Sequence, residues 1–102
     1  MGTIQNIKAE DGHEFVAYKA IPKGMQRGSI LVIQEIFGVN SHIRDVCDRF
    51  AAEGYLSIAP AVFDRVEPGV ELGYTPEDIE RGRNIMGQLN WQNTMMDIVA
   101  TA

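Results

Sequence analysis

A chain of 102 residues with 45% hydrophobic and 23% charged side chains has the composition of a globular domain, which excludes disordered and fibrous classes. Area scaling at this size gives about 65% burial, enough for one modest core and too little for separate cofactor and substrate domains. The net charge of −5, from 14 acids against 9 scattered bases, offers no footprint for a phosphate backbone, so no nucleic-acid partner is expected.

The N-terminus, Met1-Gly2-Thr3-Ile4-Gln5-Asn6, lacks a basic stretch followed by an apolar one, and no secretory leader is expected. Thr3 to Lys8 and His13 to Ala20 read as strands joined by Glu10-Asp11-Gly12, an antiparallel hairpin. Ile21-Pro22-Lys23-Gly24 breaks the pattern. Ile30 to Ile33 is a continuous run of β-branched residues and Leu, the mark of a strand buried on both faces in a parallel sheet. No apolar run approaches the roughly 18 residues of a membrane span, so no membrane partner is expected.

After the loop Gln34–Asn40 a helix begins, with Asn40 or Ser41 as N-cap and Ile43, Val46, Cys47, Phe50 and Ala51 on its apolar stripe. Cys47 is the chain's one cysteine; it cannot close an internal disulfide, which fits a reducing, cytoplasmic compartment. Mid-helix on the apolar stripe, it reads as a buried, inert thiol. Gly54 ends the helix and Tyr55 to Ala59 forms another strand, completing a βαβ unit with parallel strands. Pro60 to Tyr74 is a long loop, a length that is usually functional when ordered. Thr75-Pro76-Glu77-Asp78 starts a second helix, with Ile79, Met86 and Leu89 marking its buried side. A break near Gly87 to Asn90 leads into a last helical stretch with Trp91, Met95, Ile98, Val99 and Ala102 at helical spacing and no stop signal. A helix without a stop, together with a strand that lacks neighbours for both edges, sets the expectation of a truncated domain.

The usual nucleotide, zinc, redox and nucleophile-elbow motifs are absent. His13 and His42 are too far apart, and too poor in flanking acids, for a zinc site. One residue stands apart. Glu35 directly follows a strand expected to be fully buried, where a carboxylate is costly unless paired or at work. It therefore either faces the ligand crevice outside the carboxyl ends of the strands, or already lies in the loop, solvated or capping the helix.

The run Ile30-Leu31-Val32-Ile33-Gln34-Glu35-Ile36-Phe37-Gly38-Val39-Asn40, with Ile43-Arg44-Asp45, Asp48-Arg49-Phe50-Ala51-Ala52-Glu53-Gly54-Tyr55 and Ala59-Pro60 after it, resembles the dienelactone hydrolase family. These are α/β-hydrolase-fold enzymes that open cyclic esters. The likeness runs over nearly all 102 residues and covers the N-terminal part, less than half, of such an enzyme. It implies that Glu35 matches the family's glutamate after the third strand, which lies beside the catalytic thiol and takes part in forming the thiolate. It also implies that the Ile36 backbone N–H matches one of two oxyanion donors, and that Phe37 lines the substrate pocket. Arg81 or Arg83 is the nearest match to the arginine that holds the substrate carboxylate; from the residues alone, both sit on a solvated helix face. The family's nucleophilic cysteine, acid and histidine fall beyond position 102, and Cys47 does not match the nucleophile.

The expectation is thus one incomplete α/β-hydrolase domain over residues 1–102: an antiparallel hairpin leading into a mostly parallel sheet flanked by helices. Its parent would be a carboxylic ester hydrolase of the dienelactone hydrolase (carboxymethylenebutenolidase) kind, acting on a small ester or lactone without metal or organic cofactor. In the resembled fold the third strand lies between the fourth and an absent fifth, which leaves Ile30–Ile33 as an apolar edge. Self-association, or a complementary C-terminal half, would cover that edge, and the chain alone would be inactive. A self-contained binding module using the Glu35–Asn40 and Pro60–Tyr74 loops, or an interaction protein pairing through its exposed strand, are the alternatives.

Overall fold

Asp11-Gly12 turns the chain as its residue types dictate, with Asp11 Oδ1 accepting the His13 N–H at 3.2 Å. The computed structural model describes residues 2–102, Met1 lying outside them. β1 (Thr3–Lys8) pairs antiparallel with β2 (Glu14–Ala20), Thr3 opposite Lys19 and Lys8 opposite Glu14. β3 (Gly28–Leu31), α1 (Ser41–Ala52) and β4 (Tyr55–Pro60) form the expected βαβ unit, with Gly28 opposite Tyr55 in a parallel register. The sheet order is β1-β2-β4-β3, a mixed four-stranded sheet of the α/β class in which β2 and β4 are central.

Burial along β3 corrects the reading of Ile30–Ile33 as a strand buried on both faces. The strand runs Gly28–Leu31, and Ile30, Leu31 and Val32 are only half-buried, while Ile33 is exposed. Among the described residues β3 has β4 on one side and no strand on the other, so its apolar run forms the sheet edge that the resemblance implied. One more bond, Val32 N–H to Ile58 C=O at 2.8 Å, extends the ladder before the chain leaves β4.

Asn40 is the N-cap of α1, its Oδ1 accepting the Ile43 N–H at 3.2 Å. Ile43 and Cys47 are buried against Tyr18, Ala20 and Ala59, one of two core clusters; Phe50, expected on the same stripe, is exposed. The second cluster gathers Val62, Phe63, Val70, Leu72 and Ile85. Four of those five residues come from the Pro60–Tyr74 segment, so this loop, with a single 3-10 turn at Val62–Arg65, builds core. α2 (Pro76–Gly87) starts at Thr75, whose hydroxyl caps the Asp78 N–H, and its buried positions are Gly82 and Ile85. Ile79, Met86 and Leu89, expected to mark that side, are half-buried.

α3 (Trp91–Thr101) is capped by Asn90, and of its expected apolar positions only Ile98 packs on the second core cluster. Its buried residues are Thr94, Asp97 and Thr101, whereas Trp91, Met95 and Val99 are exposed. The reason is Asp97, fully buried and bound twice by Arg65 at 2.9 Å. Holding that ion pair under the helix brings Thr94, Asp97 and Thr101 inward and leaves Trp91, Met95 and Val99 outside. No helix among the described residues is long and apolar enough to cross a membrane.

Candidate active site

The turn Glu35–Gly38 closes with a Gly38 N–H to Glu35 C=O bond of 3.2 Å, just past the carboxyl end of β3. Three further elements grip it. Gln34 Nε2 donates to the Glu35 carbonyl at 3.0 Å, and the Leu72 N–H donates to the Phe37 carbonyl at 2.8 Å. From the far side α2 presses Gly82 against the Ile36 carbonyl, an approach so close that a Cβ at position 82 would collide with that oxygen. Glycine mid-helix costs about 1 kcal/mol relative to alanine, and this contact is what requires it here.

Behind the turn, Asn40 Nδ2 donates to the Leu72 carbonyl at 3.1 Å and to Tyr74 Oη at 3.3 Å. Arg44 donates to the Val39 carbonyl at 2.9 Å and pairs with Glu71. The Glu35–Asn40 and Pro60–Tyr74 loops are therefore stitched to each other. A cleft at their seam, lined by Val39, Arg44, Val70 and Glu71, holds only about 80 Å³, well below the volume of a ligand pocket. That observation weighs against the binding-module alternative.

Of the residues singled out from the sequence, Glu35, Ile36 and Phe37 share this turn. Glu35 lies in the loop, exposed, and its carboxylate enters no ion pair among the described residues. The Ile36 N–H has no acceptor among the described residues, although the carbonyls of Glu35 and Phe37 on either side of it are bonded. Phe37 is half-buried, packed on the second core cluster and edge-on to Tyr74 with ring centroids 4.5 Å apart. Arg81 and Arg83 flank Gly82 in α2, but neither hydrogen-bonds to the turn among the described residues. Both are exposed; Arg81 pairs with Glu67, and Arg83 has no ion pair among the described residues. No group of three or more His, Cys, Asp or Glu gathers as a metal site among the described residues.

An exposed carboxylate next to a free amide, on a turn anchored at the Glu35 and Phe37 carbonyls, leaves the family to be decided by likeness. The profile of the dienelactone hydrolase family matches residues 15–102. This chain belongs to that family. It is 51% identical over 89 residues to a Synechocystis protein provisionally named a carboxymethylenebutenolidase, an alignment spanning 86% of this chain and 36% of that one. An Azospirillum brasilense protein of the same provisional name is 44% identical over 87 residues, 83% of this chain and 38% of its own length. The crystal structure of a Klebsiella pneumoniae protein, provisionally a dienelactone hydrolase, superposes with a TM-score of 0.70 at 31% identity, over 98% of this chain and 42% of that one. The chain thus spans well under half the length of these relatives, and the partial α/β-hydrolase architecture expected from the sequence is the one observed.

Gln34, Gly82 and the Leu72 amide were not singled out from the sequence. A glycine inside a helix pattern was the one available signal for Gly82. Cys47 is where its spacing placed it, with no exposed surface, and burial followed by the Asp48 charge pushes its thiol up to about 11. The native chain should therefore leave a thiol-reactive disulfide dye unreduced near pH 8 and react fully only in denaturant. Rapid labelling of the folded chain would show that Cys47 is accessible.

Proposed function

We propose that this chain is the N-terminal part of a single α/β-hydrolase domain that opens a lactone or other carboxylic ester through a cysteine outside residues 1–102, and that it is inactive alone. The observation that carries the reading is the free Ile36 N–H on a turn whose Glu35 and Phe37 carbonyls are both held. An amide fixed in place beforehand and left without an acceptor suits the negative charge that develops on a carbonyl oxygen during acyl transfer. Glu35, beside it, takes the proton of the incoming thiol. The thiolate attacks the acyl carbon and the carbonyl oxygen becomes the oxyanion held by Ile36 N–H; collapse of this intermediate breaks the C–O bond, and the alkoxide takes up the proton that Glu35 accepted. Water then cleaves the acyl-enzyme.

In this reading Phe37 supplies a wall of the substrate pocket, and Arg81 or Arg83 receives a substrate carboxylate. Arg83, without a competing ion pair, is the better placed. The exposed edge of β3 is where the C-terminal half or a second copy of the chain pairs. The setting is cytoplasmic, and the chemistry needs neither metal nor organic cofactor.

The test is hydrolysis of p-nitrophenyl acetate by the chain alone and by the chain joined to the C-terminal remainder of the Synechocystis relative. No turnover above buffer is expected from the former. Turnover is expected from the latter, reduced about a hundredfold or more by Glu35→Ala. Activity of the chain alone that survives Cys47→Ala would overturn the reading.

A further inference from the structure

Gln34 is 9% exposed, and both ends of its carboxamide are engaged. Oε1 accepts the Val62 N–H at 3.1 Å and Nε2 donates to the Glu35 carbonyl at 3.0 Å. Val62 offers a donor and Glu35 an acceptor, so the two ends of the carboxamide cannot be exchanged. The Glu35 carbonyl receives a second donor, the Gly38 N–H.

The Glu35 carbonyl and the Ile36 N–H belong to one peptide unit. In a planar trans peptide the two point in opposite directions, so whatever holds the carbonyl aims the N–H. We propose that Gln34 is a positioning residue, which fixes the direction of the Ile36 N–H by holding the carbonyl of the same peptide from a side chain locked onto the exit of β4. The proposal rests on the reading that this N–H meets the oxyanion. Its force lies in preorganisation: a donor stabilises developing charge only if it is aimed before the reaction, and a turn held by the Gly38 bond alone could rotate its peptide and present a carbonyl instead.

Two substitutions separate the ends of the side chain. Gln34→Met is of similar length and removes both bonds. Gln34→Glu, ionised, still accepts from Val62 and can no longer donate to Glu35. In the joined enzyme both should lower kcat by about a hundredfold while KM stays within about twofold, a split that a general loss of packing would not produce. Unchanged kcat in Gln34→Glu overturns the proposal. In the 102-residue chain, amide hydrogen exchange by NMR should show the Gly38 N–H exchanging at least about tenfold faster in both variants, with the amides of α1 unaffected. An unchanged Gly38 rate overturns the proposal whatever the kinetics. If the unsubstituted joined enzyme is inactive, the functional reading fails, and the exchange measurement alone decides the positioning of the peptide.

Discussion

Arg65→Met is expected to destabilise the fold by about 3–5 kcal/mol, the range for removing one partner of a buried ion pair. Arg65 binds Asp97 through Nε and Nη2 at 2.9 Å each, and Asp11 through Nη1 and Nη2 at 2.8 and 3.0 Å. It thereby ties α3, the 3-10 turn and the β1–β2 hairpin together. Asp97 has no exposed surface, so without Arg65 its charge stays desolvated and unpaired, and that is the source of the loss. Against a domain stability of about 5–15 kcal/mol this is a large fraction, and Tm should fall by roughly 15–30 °C in a thermal melt followed by circular dichroism. Asp11→Asn should cost far less, because Asp11 is exposed and water replaces its partner. Arg65→Met combined with Asp97→Leu should recover most of the loss, since no buried charge remains. An unchanged Tm in Arg65→Met would show that the pair holds nothing.

The same contact sets an acid limb. Hydrogen bonds from Arg65, then from the His13 N–H, lower the Asp11 carboxyl from 3.8 to about 2. A depressed folded-state value means that the contribution is fully present above 3.8 and is lost as pH falls towards 2. In Arg65→Met the Asp11 titration, read by carboxyl NMR, should move back up.

Long-range pairing of this kind is what the sequence conceals. The hairpin turn, the βαβ unit and the caps at Asn40 and Thr75 were legible because each depends on residues within a few positions of one another. The facing of α3 was not, since Trp91, Met95 and Val99 have core-like spacing, and the residue that overrides them, Arg65, lies 32 positions from Asp97. The apolar run after Gly28 has the pattern of a strand buried on both faces, yet Ile30, Leu31 and Val32 are only half-buried; its place at the sheet edge was legible through the family resemblance alone, because no local pattern encodes sheet order. At the site, the run from Glu35 to Phe37 was visible through its family resemblance, whereas the grip on that turn comes from Gln34, Leu72 and Gly82. Gln34 sits beside an apolar run and gives no periodic signal. Its role follows only from where the Val62 amide arrives after β4.

Gly38→Ala should have the next-largest effect, through strain and collision at one position. Gly38 has φ +80°, a left-handed conformation that costs an L side chain about 1–2 kcal/mol. A Cβ there would also run into the Val70 carbonyl oxygen, backbone that cannot swing aside as a side chain could. Forced shifts in packed surroundings cost about 1–3 kcal/mol more, so the total expected is about 3 kcal/mol. Gly69→Ala is the internal control: its φ is +73°, yet nothing lies within 4 Å of the added Cβ, and strain alone should appear there. The difference between the two substitutions, measured by urea denaturation, isolates the collision, and equal losses would show that the turn gives way without resistance. Because the Gly38 N–H holds the Glu35 carbonyl, relaxation at this site turns the peptide that presents the Ile36 amide. In the joined enzyme Gly38→Ala should therefore lower kcat well below its melting temperature, where the folded fraction is unchanged, and Gly69→Ala should not.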